Sequence, residues 1–160
     1  MSVTKLQVQE MFTATVKDAI AKGYENISQE GWALTFNKRK RALGICNYSN
    51  KEIQISLLFM KTLDYEEVLN TVRHEVSHAL AGHAAGHGPR WRSIQRDLGG
   101  DTSRCTYLTD EQRPQHSWEL VNTLDSSVVA KYHRKPRRNP ATLQLRGAPE
   151  TLGKLIVRRV

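Results

Sequence analysis

Apolar positions recur along the first hundred residues with two distinct periods. Over residues 4–22, Val8, Met11, Phe12, Val16, Ala19 and Ile20 share one face at helical spacing. Thr4 and Gln7 form a capping-box pattern ahead of them, and Gly23 suits a helix stop. Trp32, Leu34 and Phe36 then alternate with small or polar residues, a strand pattern. Residues 41–48 and 53–58 follow as further strand segments, with Ser49-Asn50-Lys51 as turn chemistry between them. Together these predict a three-stranded antiparallel meander. Asp64 and Glu67 repeat the capping box, and Glu66 and Glu67 suit the positive end of a helix. Val68, Leu69, Val72, Val76 and Leu80 stripe that helix, which should fade near Gly82. A second helix should start at Pro89 and stop before Gly99-Gly100, leaving a Gly/His-rich loop over 82–88.

Beyond Asp110 the pattern changes. Residues 117–122, 127–133, 142–146 and 153–159 read as short strands, so the chain is predicted to be α+β in two parts, 1–112 and a β-rich 113–160. Charge divides at the same place. Residues 113–160 hold ten Lys/Arg against three Asp/Glu, which is +7 of the net +8. Such a region attracts polyanions, nucleic acid above all. Lys131, Arg134, Lys135, Arg137 and Arg138 are the candidate contacts there, joined by Lys38, Arg39, Lys40 and Arg41 between the first two strands. Cys46 and Cys105 imply no disulfide framework. Cys46 is expected to be a buried small hydrophobe. The N-terminus lacks a basic segment followed by an apolar run, and no stretch approaches 18 apolar residues. The expectation is a cytoplasmic protein with no membrane partner.

The residues with the most chemical content are His74-Glu75-Val76-Ser77-His78. Histidines at i and i+4 lie one turn apart on the same helix face, and two imidazoles so placed can ligate one zinc ion. Glu75 sits at the edge of that face, where it can serve as general base toward a zinc-activated water without ligating. Shuffling this composition yields HExxH about 0.01 times per chain, and here it falls on a segment that independently reads as a helix. A catalytic zinc usually takes three protein ligands. His83 and His87 are both candidates for the third. The metzincin spacing fails, because Ala81 and Ala84 stand where it needs Gly and His. His87 is preferred, since it lies at the mouth of the next helix, where the chain can turn back to the metal. His83 is the alternative, or else a substrate-side group. Trp91 reads as core, and His116 and His133 as surface residues. Tyr107, His83 and Arg90 are candidates for stabilising an oxyanion.

The run His74-Glu75-Val76-Ser77-His78-Ala79, followed by Gly86-His87-Gly88-Pro89-Arg90-Trp91, resembles the signature of the SprT-like metalloprotease family, which includes Spartan. Residues 36–46 also resemble that family's basic hairpin. The resemblance spans about residues 4–108. It implies a minimal zincin core, with one zinc per chain held by His74, His78 and His87, and Glu75 as the catalytic residue. It further implies protein substrates bound or crosslinked to DNA. Many such proteins end in a zinc ribbon with paired CxxC motifs, whereas residues 113–160 hold no cysteine. That region is therefore expected to be a ribbon-like β appendage without metal. Two other classes stay open: a non-catalytic nucleic-acid-binding module with a structural zinc, and a peptidase with no nucleic-acid dependence.

Overall fold

Helix α1 (Lys5–Ala21) begins where its cap dictates: Thr4 Oγ1 accepts from the Gln7 backbone at 3.2 Å, and Gln7 Oε1 accepts from the Thr4 backbone at 2.9 Å. The computed structural model describes residues 2–103 and 115–160. After a single turn, α2 (Asn26–Gln29), come three short strands: β1 (Ala33–Asn37), β2 (Gly44–Asn47) and β3 (Glu52–Ser56). Helix α3 (Tyr65–Ala81) starts on a second reciprocal cap between Asp64 and Glu67, both bonds 2.9 Å. A 3-10 turn, His83–Ala85, leads to α4 (Pro89–Asp97), with Pro89 at its first position. The chain is mixed α+β, and it divides into two compact units, Met1–Arg113 and Pro114–Val160.

The strand order corrects the expected antiparallel meander. β3 lies between the other two, antiparallel to β2 but parallel to β1. Burial explains the choice. Ile53 and Ile55 of β3 are 0 and 2 % exposed, while no residue of β1 or β2 is fully buried, so β3 takes the centre. Residues 38–43 then have to cross the end of β3. Ser56 holds them there, donating from its hydroxyl to the Arg39 carbonyl at 2.6 Å and from its backbone to the Leu43 carbonyl at 2.8 Å. β2 is left as an edge strand.

The core of this unit joins Val8 and Met11 of α1, Ile53 and Ile55 of β3, Val68, Val72, Val76 and Leu80 of α3, and Trp91 and Ile94 of α4. Burying each such side chain is worth about 1.5–3 kcal/mol, and together they pin α3 at the centre of the unit. The second unit is a three-stranded sheet in the order β5-β4-β6, from β4 (Trp118–Asn122), β5 (Val128–Tyr132) and β6 (Leu155–Arg159). β4 is the middle strand and supplies the buried Leu120 and Val121. The strand expected over 142–146 is not formed. Pro140–Thr142 is a 3-10 turn, its start capped by Asn139 Oδ1 accepting from the Ala141 backbone. The Leu145 backbone is taken by the Thr151 hydroxyl at 2.8 Å, and these local bonds replace a strand ladder. Among the described residues no helix is long and apolar enough to cross a membrane.

Candidate metal centre

His74 and His78 project from one face of α3, and the chain after α3 returns to meet them. Two glycines make the return possible. Gly86 has φ +49° and ψ −133°, a conformation that favours glycine, and a Cβ on Gly88 would stand 2.8 Å from the Ala85 carbonyl oxygen. Between them, His87 is delivered to the other two. The three Nε2 atoms are 3.2 Å (His74 to His78), 3.1 Å (His78 to His87) and 3.0 Å (His74 to His87) apart. A tetrahedral zinc with Zn–N bonds of about 2.0–2.1 Å holds its ligand nitrogens about 3.3–3.4 Å apart, so the donor set and its spacing fit a zinc ion closely. His83, the other candidate, is exposed and outside this cluster; its ring meets the edge of Tyr48 at 5.1 Å.

Burial sets the protonation of the cluster. It pushes His74 down to about 3, helped by His78 and His87, and His78 down to about 4, helped by His87. Both are therefore neutral at pH 7 with lone pairs available, the form a metal needs. Glu75 lies against β2 and is only 7 % exposed. Burial lifts its carboxyl to about 7, against a smaller downward pull from the Cys46 backbone. The approach is close: a Cβ on Gly44 would lie 2.7 Å from both Cγ and Oε1 of Glu75 and 2.8 Å from Cγ2 of Thr71. Only glycine lets the edge strand lie this near the carboxylate.

Aromatic side chains brace the carbonyls of both α3 histidines. Tyr48 donates its hydroxyl to the His78 carbonyl at 3.0 Å, and Trp91 donates Nε1 to the His74 carbonyl at 3.3 Å. Cys46 is half-buried in β2, and burial pushes its thiol up to about 12, which makes it inert. Arg90 is exposed on α4. Cys105 and Tyr107 lie outside the described residues.

The SprT-like family model matches residues 8–111. The chain belongs to the SprT-like family. It is a family of metallopeptidase-like, zinc-associated domains, and the matched span holds the whole histidine cluster. No curated protein and no solved structure matches the chain.

The candidate basic residues fall in both units. Lys38, Arg39 and Arg41 are exposed on the crossover between β1 and β2, and Lys40 is half-buried. In the second unit Lys135 lies over the Trp118 ring, 5.5 Å from its centroid. Trp118 pairs with Tyr132 on β5 and Arg159 on β6, so these three share a sheet face. Lys131 is on the opposite face, level with Glu119 and Arg158. Arg134, Arg137 and Arg138 are exposed in the segment after β5. His116, expected as a surface residue, is half-buried and pairs with Glu119 at 3.0 Å.

Proposed function

We propose that this SprT-like chain is a zinc-dependent endopeptidase of minimal zincin type, cytoplasmic and DNA-associated, acting on proteins bound or crosslinked to DNA. One observation carries the reading: three imidazoles, two of them held neutral by burial, bring their Nε2 atoms within 3.2 Å of one another, and the residue after His74 is a buried carboxylate lifted to about 7. His74, His78 and His87 would hold the ion. When bound, zinc supplies a Lewis acid that brings the pKa of a water molecule to about 7 and polarises a peptide carbonyl. Glu75, with its carboxyl poised near neutral pH, takes the proton of the attacking water and hands it to the leaving amine.

The substrate would lie along β2. An extended peptide added to that edge gains backbone hydrogen bonds with little demand on its side chains. Gly44 keeps the strand low over Glu75, so a peptide held there presents its backbone to the carboxylate. A site this unselective needs restraint, and dependence on DNA would provide it. The face bearing Trp118, Tyr132 and Arg159, with Lys135 over Trp118, combines stacking surfaces with cations, as single-stranded nucleic acid binding requires. Lys38–Arg41 would add phosphate contacts.

The test has two arms. Elemental analysis should find about one zinc per chain in the wild type. The zinc-loaded protein should then cleave a small basic DNA-binding protein in the presence of DNA, and leave it largely intact without DNA. Equal cleavage in both conditions would remove DNA from the proposal. No cleavage in either, with zinc present, would leave a nucleic-acid-binding module with a structural metal.

A further inference from the structure

Trp91 is absent from the chemistry above, yet its indole meets all three imidazoles. Its centroid lies 4.7 Å from that of His74, 4.6 Å from His87 and 5.4 Å from His78, the last in a stacked arrangement at 30°. The side chain is wholly buried, and its one polar atom is engaged by the His74 carbonyl. One turn further along α4, Gln95 is also wholly buried. Its Oε1 accepts from the Ser77 hydroxyl at 2.8 Å, while Nε2 donates to Asn70 Oδ1 at 3.3 Å and to the Asp101 carbonyl at 3.1 Å. Asn70 Oδ1 accepts in turn from the Asp101 backbone at 2.8 Å.

Trp91 and Gln95 are therefore a pair at i and i+4 on one face of α4, both hydrogen-bonded to α3 out of reach of water. A buried bond of this kind is costly to leave unmade, so α4 cannot slide or roll on α3 without breaking several at once. The third histidine depends on this. His74 and His78 share one helix, which fixes their separation, but His87 stands two residues before α4 and takes its position from that helix. What fixes α4 on α3 therefore also fixes where the third imidazole meets the other two.

We infer that Trp91, locked in register by Gln95, is the positioning residue of the metal centre: it orients the three imidazoles toward one another and so sets the affinity for zinc. This rests on the zinc reading proposed above. Losing the partners that orient metal ligands typically weakens binding by about 10–100-fold.

The experiment is a zinc titration against a chelator of known affinity, on the full chain. Trp91→Phe keeps a ring but loses the bond to His74, and is expected to weaken zinc by a few fold. Trp91→Leu removes the platform and should weaken it by about 10–100-fold. Ser77→Ala, a small change that opens the Gln95 bond, covers the case in which Trp91→Leu does not fold, and should behave like Trp91→Phe. Met11→Ala serves as a control for stability alone: this buried α1 residue should lower the unfolding temperature and leave zinc affinity unchanged. Substituting cobalt provides a signature that a merely structural role would not move, since the visible bands of a four-coordinate ion should weaken in Trp91→Leu. If Trp91→Phe, Trp91→Leu and Ser77→Ala all bind zinc as tightly as wild type, the positioning role is overturned and the zinc site stands. If the wild type binds no zinc, the zinc reading itself falls, and this inference with it.

Discussion

The two units solve the same problem, keeping polar groups inside a small protein, in different ways. In the first, the buried polar groups form a chain that runs through the candidate centre: Trp91 to His74, Tyr48 to His78, and Gln95 to Ser77 and Asn70. In the second, Glu119 on β4 is held by His116 at 3.0 Å and by Arg158 at 2.8 Å, and these residues stitch the middle strand to an edge strand. Both arrangements are fully paired; among the described residues no buried side-chain nitrogen or oxygen lacks a partner. The difference lies in what the pairing leaves free. In the first unit the aromatic donors bond to the backbones of His74 and His78, and the imidazoles turn toward one another. In the second the charged groups consume one another. Burial of polar side chains does not by itself mark a functional site; lone pairs aimed at a common point do.

That contrast can be broken most sharply at His87. His87→Ala should lose the metal at concentrations that saturate the wild type, because two imidazoles on one helix remain without the third. Metal content after gel filtration checks this. Zinc retained in His87→Ala would mean that a different residue completes the set. Glu75→Gln should do the opposite: keep about one zinc per chain and lower the rate of peptide cleavage by about 10²–10⁴-fold. Gly44→Ala comes next. The new methyl would meet Glu75 and Thr71 at under 3 Å, so either the carboxylate or β2 must move. A displacement of this size should cost about 10²-fold in kcat with zinc affinity unchanged. Adding Thr71→Ser, which removes one of the clashing atoms, should recover part of the loss, and no recovery would argue against steric displacement.

Much of the first unit was legible in the sequence because its signals are local. A capping box occupies four residues, and a helical stripe or an HExxH pair repeats within a few turns. Strand order was not legible, because nothing local in β1 or β2 says which edge of β3 each will take; that depends on Ile53 and Ile55 needing cover from both sides. The segment 142–146 misled for a related reason, since its alternating pattern is overruled by bonds from Asn139 and Thr151 outside the window. Tyr48, Trp91 and Gln95 were missed because their roles lie in what they face. Gly44 could have been found: a glycine inside a strand pattern signals close approach of another group.

The second unit should answer to packing alone. Leu120→Ala on β4 should destabilise that sheet by about 2–3 kcal/mol and leave the zinc titration as in the wild type, since every residue of the cluster lies before position 104. A change in zinc affinity would show the two units to be coupled.

The smallest effect separates the units by pH. In metal-free protein, His74 and His78 are depressed to about 3 and 4 from an unfolded value of 6.5. Their contribution to stability is fully present above pH 6.5 and is lost as pH falls through those values. Glu75, raised to about 7 from 4.5, has the opposite sign: its contribution is present below pH 4.5 and is lost as pH rises toward 7. Between pH 6.5 and 4.5 two groups therefore favour folding at the higher pH and one opposes them. The first unit should lose stability on acidification, and Glu75→Gln should steepen that loss. Glu119 is held below its ordinary 4.5 by His116 and Arg158, so its contribution is intact throughout this window and is lost only below it. Urea denaturation in the presence of a chelator at pH 6.5, 5.5 and 4.5 tests this, with Trp118 replaced to follow the first unit and Trp32 and Trp91 both replaced to follow the second, so that fluorescence reports one unit at a time. The first unit's midpoint should fall while the second's stays constant. Parallel decline of both midpoints would mean that the histidine cluster is not the group that sets the acid sensitivity.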